Sequence, residues 1–201
     1  MSINVCNDRS MASITSLPSG VSGSSLVLLS TVTASSSSTV EFTSGIDSTY
    51  KEYQIHYIDV HAATNDTDLT INFRDGSTAY DATKTTTYFS ATLNEADSGA
   101  GLSYETAVDL AQSTGVQKLS KSGIGNDNDH SACGIVQLFD PSNSTFVKHF
   151  IATMQNTVQD DVSQQHNSAG YVNTATALTR VRFKFSSGNI DAGTIKLYGV
   201  L

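Results

Sequence analysis

The sequence predicts an all-β protein and, within that class, an antiparallel β-sandwich of jelly-roll-like type with an extended N-terminal arm. Two observations lead to this class. Ser and Thr together number 53 of the 201 residues, whereas only 15% of the residues are charged, and segments rich in β-branched Thr favour strands over helices. Many short segments also alternate apolar and polar side chains between turn residues, a pattern typical of sandwiches and jelly rolls.

The chain divides into two predicted parts. Residues 1–25 are rich in Ser and have little amphipathic pattern, so their composition predicts a loop or an extended arm. We expect this arm to be an anchor that docks on a partner, and docking along its own domain is the alternative. Residues 26–201 are predicted to form one β domain, a length that suits a single sandwich. The apolar side chains expected to bind the partner are Ile3, Val5, Ile14 and Leu17.

The last two strands show the alternation most clearly. Val181, Phe183 and Phe185 alternate with charged side chains, and Ile195 and Leu197 flank Lys196, so each strand has one apolar face. Because turn residues separate the two strands, we expect them to pair as a hairpin. Before them, the predicted strands are residues 26–34, 39–43, 53–62, 69–73, 85–93, 132–140, 145–154 and 169–173.

Two segments carry more detailed predictions. In the strand at 53–62, Ile58 and Val60 are expected to share one face, opposite Tyr53, Ile55 and Tyr57. Residues 97–130 form a long Gly-rich connection between the two halves of the strand set. Within this connection, residues 104–112 are either a short helix or an irregular loop, and the sequence leaves both open.

Charge and hydropathy exclude several classes of function. The formal net charge is -8, which is opposite to the basic surface that nucleic-acid binding requires. The longest apolar run, residues 26–29, is far shorter than the roughly 20 residues of a membrane-spanning helix. The first ten residues lack the basic and apolar regions of a signal peptide. We therefore expect no nucleic-acid partner, no membrane span and no secretion by the general route.

Metal binding has only a weak signal. In residues 125–130, Asp127 and Asp129 alternate with Asn as calcium ligands do, but the Gly and the later Glu of a calcium loop are missing. A solvated turn is the preferred interpretation, and a calcium site is the alternative. The five histidines are scattered, with His130 and His166 placed in loops, and no Cys or carboxylate stands at ligand spacing. We predict no cofactor.

The sequence gives no evidence for catalysis. It lacks the G-x-S-x-G elbow of many hydrolases, and no catalytic residue is predicted. Cys133 lies in an apolar run and is interpreted as a small buried hydrophobic residue, while the role of Cys6 stays open. Sugar binding is a further hypothesis, although the chain has no Trp. Its candidate stacking platforms, for which a core or interface role is the preferred interpretation, are Tyr50, Tyr80, Tyr88 and Tyr104.

Four stretches carry a resemblance to a known family. They are EFTSGIDSTYKEY (41–53), LFDPSNSTFVKHF (138–150), AGYVNTATAL (169–178) and FKFSSGNIDAGTIKLYGV (183–200). From residue 40 to the C-terminus, the chain resembles virion structural proteins of tailed bacteriophages, of the kind found in marine phages. The resemblance implies a sandwich or jelly-roll body on the particle exterior, as a capsid decoration, knob, fibre or tail protein. It implies no catalytic residues.

The resulting hypothesis is a non-enzymatic virion protein that is made in the host cytoplasm and displayed on the particle. The expected partners are the major capsid or tail proteins and other copies of the chain, with a homotrimer as the expected assembly. The first alternative is a tail-associated module that binds a host receptor or surface glycan. An enzyme that cleaves sugars is a weaker alternative.

Overall fold

The computed structural model describes residues 25–76, 78–158 and 160–201, and the described residues form twelve strands and no helix. This confirms the predicted all-β class. Apart from Ser25, the predicted arm lies outside the described residues, and Ile3, Val5, Ile14, Leu17 and Cys6 lie there with it. The strands are β1 (Leu26–Thr33), β2 (Val40–Phe42), β3 (Glu52–Ala62), β4 (Leu69–Arg74), β5 (Lys84–Asn94), β6 (Gly101–Tyr104), β7 (Gln117–Lys118), β8 (Ala132–Phe139), β9 (Lys148–Val158), β10 (Val162–Val172), β11 (Arg180–Phe185) and β12 (Ile190–Val200).

The strands form two antiparallel sheets with jelly-roll connectivity. One sheet has the order β1-β12-β3-β8-β9-β10-β5-β6, and the other has the order β2-β11-β4-β7. Eight of these strands make two opposed groups of four, β1-β12-β3-β8 and β2-β11-β4-β7. Along the chain, successive members of this set lie in opposite groups except β4 and β7, which pair with each other, and this is the connectivity of a jelly roll. The other four strands are two insertions, β5-β6 and β9-β10, which extend the first group into the large sheet.

The core lies between the two sheets, where their inner faces meet. Tyr57 of the large sheet and Phe183 of the small sheet have ring centroids 6.1 Å apart, and the rings of Phe73 and Phe150 are 5.2 Å apart. All four side chains are almost completely buried. Burying each large apolar side chain contributes about 1.5–3 kcal/mol to folding, so this interface between the sheets is the main source of stability.

The predicted terminal hairpin is wrong, although both of its strands exist. β11 pairs with β2 and β4 in the small sheet, whereas β12 pairs with β1 and β3 in the large sheet. The apolar faces are as predicted, because Val181, Phe183, Phe185, Ile195 and Leu197 are all buried. Two consecutive strands with one apolar face each can bury those faces against each other from opposite sheets, and the turn between them then crosses the sandwich.

A β-bulge corrects the predicted faces of β3. Ile58 faces outward and is 40% exposed, whereas Val60 is completely buried. Between them Asp59 has a φ of 50°, and the pairing register with β8 shifts between Tyr57 and Val60. The extra residue of a bulge reverses the alternation, so Val60 returns to the inner face.

Two further differences concern segments with weak patterns. The connection at 97–130 contains the short strands β6 and β7, and residues 104–112 contain no helix. Strand β10 begins at Val162 rather than at residue 169. His166 therefore lies on a strand and faces the interior, with 1% of its surface exposed, which corrects its predicted place in a loop.

Candidate functional site

A small polar cleft lies beneath the edge of the large sheet that is formed by β5 and β6. It has a volume of about 220 Å³. Ser90 of β5 pairs with Ser103 of β6, and both side chains point to the inner side of this edge, where the loop after β7 closes the cleft. We call this cleft the β6 pocket. Its polar lining side chains are Ser90, Thr92, Ser103, Glu105, Lys121, Ser122 and Gln164.

An ion pair forms one wall of the β6 pocket. The Nζ atom of Lys121 lies 2.6 Å from Oε2 of Glu105, and the hydroxyl of Ser90 donates a hydrogen bond to Oε1 over 3.0 Å. The Glu105 side chain is 9% exposed and that of Lys121 is 40% exposed. The hydrogen bond from Lys121 lowers the pKa of Glu105. The wall thus carries one charge of each sign.

An unpaired acceptor also lines the β6 pocket. Strand β10 places Gln164 between Thr92 of β5 and Asn156 of β9, with 7% of its surface exposed. Its Oε1 atom is buried and has no hydrogen-bond partner among the described residues. Leaving a buried acceptor unpaired costs about 1–3 kcal/mol, so a ligand group that donates to this oxygen gains a partner that the described residues do not supply.

A second polar layer lies deeper on the same face. The ring of His166 lies 5.7 Å from that of Tyr88, and its Nε2 is 2.8 Å from Oδ1 of Asn156. Because Oδ1 accepts this hydrogen bond, Nε2 carries the proton and Nδ1 is left as an unpaired, buried nitrogen. Burial lowers the pKa of His166 to about 4. The ring is therefore neutral at physiological pH.

The predicted calcium ligands do not gather around a common centre. The carbonyl of Asp127 accepts hydrogen bonds from the backbone N–H of His130 and from the ring of His61. The Asp129 carboxylate is 86% exposed and lines a different cleft, together with His61. Within residues 25–76, 78–158 and 160–201, no three His, Cys, Asp or Glu side chains are placed to hold a metal ion.

The candidate tyrosines lie in four different environments. Tyr88 is buried and donates to the carbonyl of Leu119. Tyr50 packs edge-on against Tyr53 in the core. Tyr80 is half-buried, with its ring beneath a guanidinium group. Tyr104 alone among the four is exposed, at 55%.

The predicted burial of Cys133 is wrong. This residue is half-buried on the outer side of β8, and its Sγ accepts a hydrogen bond from the backbone N–H of Asp59 over 3.2 Å. The bulge in β3 brings that N–H group toward the thiol. The alternation of β8 places Val136 and Leu138 in the core and leaves Cys133 facing outward.

The outer face of the same sheet edge carries an apolar surface, which we call the β5–β6 patch. Phe89 pairs with Tyr104 across the two strands, and Ala91 pairs with Leu102, so their side chains lie on one face. Four large side chains of this face are 46–76% exposed: Phe89, Leu93, Leu102 and Tyr104. Among the strands of the described residues, β6 pairs only with β5, so within this part of the chain its other edge offers unpaired backbone groups.

A wider and shallower cleft of about 480 Å³ lies farther along the outer face. His149 and Tyr171 line it with ring centroids 6.2 Å apart. Two of its hydroxyls, those of Thr85 and Tyr171, already accept hydrogen bonds from Gln112. In contrast to the β6 pocket, this cleft offers no unpaired buried polar atom among the described residues.

Sequence reasoning missed all the residues of the β6 pocket. Glu105 and Lys121 lie in the connection at 97–130, which has no strand pattern strong enough to fix its path. The segment QQHNSA before residue 170 is almost wholly polar, so β10 lacked the apolar alternation that identifies a strand. The polar composition of this segment was the available signal, but it does not identify the residues that the segment meets in the fold.

Comparison of the chain with protein-family models, curated protein sequences and solved structures finds no match. Among the described residues there is also no helix with the length and hydropathy needed to cross a membrane.

Proposed function

We propose that this chain is a non-enzymatic structural protein of a bacteriophage particle, displayed on the exterior as a capsid decoration, knob or fibre protein. The resemblance of residues 40–201 to virion proteins supports this role, and jelly-roll domains occur in viral coat proteins as well as in lectins. A jelly-roll fold by itself is compatible with several functions. The N-terminal arm is the proposed docking segment on the capsid or tail.

The β5–β6 patch carries the proposal, because virion proteins act by burying surface against repeated neighbours. We propose a second copy of this chain as its occupant. Each copy has a formal net charge of -8, so copies repel one another except where they meet through an uncharged surface. The patch is such a surface, with Phe89, Leu93 and Leu102 exposed next to the free edge of β6. The proposed assembly is a homotrimer.

Leu93→Asp is expected to dissociate the oligomer. It replaces a 47% exposed apolar side chain of the patch with a negative charge, which each contact between copies would have to bury. Phe146→Asp makes the same kind of change at a 70% exposed side chain on the loop between β8 and β9 and is the control. In light-scattering chromatography, wild type and Phe146→Asp should elute as trimers and Leu93→Asp as a monomer. A monomeric wild type at all concentrations would refute self-association.

Location on the particle is the test of the function itself. Bacteriophage particles whose genome encodes this chain are purified and analysed by mass spectrometry. Intact particles are labelled with antibodies against the folded domain. We expect the chain among the particle proteins and regular labelling on the outside. Absence of the chain from purified particles, or labelling only after the particles are opened, would contradict the proposal.

A second candidate function is a tail-associated module that binds a host glycan. The observation that favours it is the β6 pocket, which combines a buried unpaired acceptor with hydroxyl and charged side chains. Adsorption assays test it directly: the purified protein should compete with particles for host cells. If an excess of protein leaves adsorption unchanged, the chain is not the receptor-binding protein.

A further inference from the structure

We propose that the β6 pocket binds a single ring of a neutral sugar, through Gln164, the Glu105–Lys121 pair and the hydroxyls around them. The inference rests on the second candidate function and gives it a site. It does not depend on where the protein lies in a particle.

The size of the pocket limits the ligand. Pockets for drug-sized molecules have volumes of roughly 300–1,000 Å³, whereas the β6 pocket has about 220 Å³. It therefore suits one sugar ring, either free or at the end of a glycan chain. Its lining includes Gly101 and Ser103 of the exposed edge strand β6, and on this open side the rest of a glycan chain would continue into solvent.

The charges of the pocket favour a neutral ligand. Glu105 and Lys121 neutralise each other over 2.6 Å, so a charged ligand would compete with one partner and leave the other without its counter-ion. A hydroxyl group can instead accept from the ammonium group or donate to the carboxylate while the pair stays intact.

The unpaired oxygen of Gln164 selects a ligand that donates hydrogen bonds. Its Oε1 needs a donor, and Thr92, Ser103 and Ser122, which line the same pocket, have hydroxyls that can both donate and accept. A sugar presents several hydroxyls around one ring and matches this arrangement. An apolar ligand would leave Oε1 unpaired and would displace water from the hydroxyls without replacing its hydrogen bonds.

NMR titration of the ¹⁵N-labelled full chain tests the inference. The probes are glucose, galactose, mannose and N-acetylglucosamine, each from about 1 to about 50 mM, because one small ring without an aromatic platform is expected to bind with a dissociation constant on the order of 1 mM. We expect saturable shifts of the backbone amides of Ser103, Glu105 and Gln164 with at least one sugar. If none of the four sugars gives saturable shifts there, the proposal is wrong.

A matched pair of variants locates the site. Gln164 faces the pocket, whereas the adjacent Gln165 is exposed on the outer face of the same strand. We expect Gln164→Leu to weaken sugar binding at least tenfold without lowering the melting temperature, because it removes an acceptor to which no described residue donates. Gln165→Leu should bind like wild type. Unchanged affinity in Gln164→Leu would overturn the proposal.

A second variant keeps the test valid if Gln164→Leu does not fold. Ser103→Ala removes a hydroxyl from an exposed strand at the pocket mouth, where truncation is compatible with folding. The variant also loses a hydrogen bond to Glu105, but we expect it to stay folded and to bind sugar several-fold more weakly, and wild-type affinity would count against the site. The sugar titration and the particle labelling are independent experiments. A negative titration would contradict the sugar site in the pocket but not the structural function.

Discussion

Gly134→Ala is expected to lower the free energy of unfolding by about 3 kcal/mol or more. Gly134 lies on β8 between Tyr57 of β3 and Met154 of β9. A Cβ atom at this position would collide with the hydroxyl of Tyr57 and the backbone oxygen of Thr153. These two groups form a hydrogen bond of 2.8 Å beneath the glycine.

The effect is large because neither obstacle can move freely. Tyr57 is completely buried and packs against Phe183 of the opposite sheet, so displacing its ring disturbs the contact between the sheets. Moving Thr153 instead separates β9 from β8. Either response leaves the hydroxyl of Tyr57 or the carbonyl of Thr153 without its partner in the interior, and a buried unpaired group costs about 1–3 kcal/mol.

Urea unfolding followed by circular dichroism measures the difference. Gly101→Ala is the control, because a Cβ atom there has its nearest neighbour, the hydroxyl oxygen of Thr92, at an ordinary 3.5 Å. We expect the control to stay within about 0.5 kcal/mol of wild type. A Gly134→Ala protein that is equally stable would show that Tyr57 does not occupy the space over the glycine.

Acid is expected to destabilise the wild-type protein more than the variant His166→Gln. Burial lowers the pKa of His166 from 6.5 to about 4, so between these pH values the unfolded chain binds a proton that the folded chain does not. Stability then decreases as the pH falls through this range, and the difference in pKa corresponds to about 3 kcal/mol. Above pH 6.5 the ring is neutral in both states and contributes no pH dependence.

The surroundings of His166 explain why its pKa is lowered. A second proton would have to go on Nδ1, which has no acceptor within residues 25–76, 78–158 and 160–201, and the ring lies among Tyr88, Met154 and Asn156. Of the charged groups that act on it, Glu105 raises its pKa and Lys121 lowers it, and both effects are smaller than that of burial. Gln at this position can donate to Asn156 without titrating.

Urea unfolding of the wild type and of His166→Gln at pH 7, 6, 5 and 4 tests this prediction. The two unfolding free energies are compared at each pH, because carboxylates also titrate in this range and affect both proteins. Between pH 7 and pH 4, we expect the unfolding free energy of the wild type to decrease by about 3 kcal/mol more than that of His166→Gln. His149→Gln is the control, since water reaches the His149 ring in the folded and unfolded states alike. Parallel pH profiles for wild type and His166→Gln would contradict the buried, neutral ring.

Strands were predictable wherever one face is apolar and the other polar. β3, β4, β5, β8 and β9 were all found within a few residues of their ends, because alternation depends only on neighbours in the chain. The short strands β6 and β7 and the first half of β10 were missed. Their side chains are exposed or polar on both faces, and their conformation is fixed by pairing with β5, β4 and β9 rather than by their own pattern.

The candidate site was not predictable at all, because its residues also lie in segments without an alternating apolar pattern. Glu105 and Lys121 come from a connection without alternation, and Gln164 comes from a strand that has no apolar stripe. They meet because β10 pairs with β5 and β6 pairs with β5. The loop at 125–130, which had the strongest local polar signal, instead places Asp127 and Asp129 in separate environments.

The sequence by itself determined that this protein is built from strands and which side chains of the regular strands face the core. The tertiary structure decided which sheet each strand joins. Phe183 and Leu197 were both predicted to be buried, but they lie on opposite sheets, because two apolar faces in sequence can meet across a core as well as side by side. The same long-range pairing sets the bulge at Asp59 and closes the β6 pocket, so both depend on contacts that no local pattern encodes.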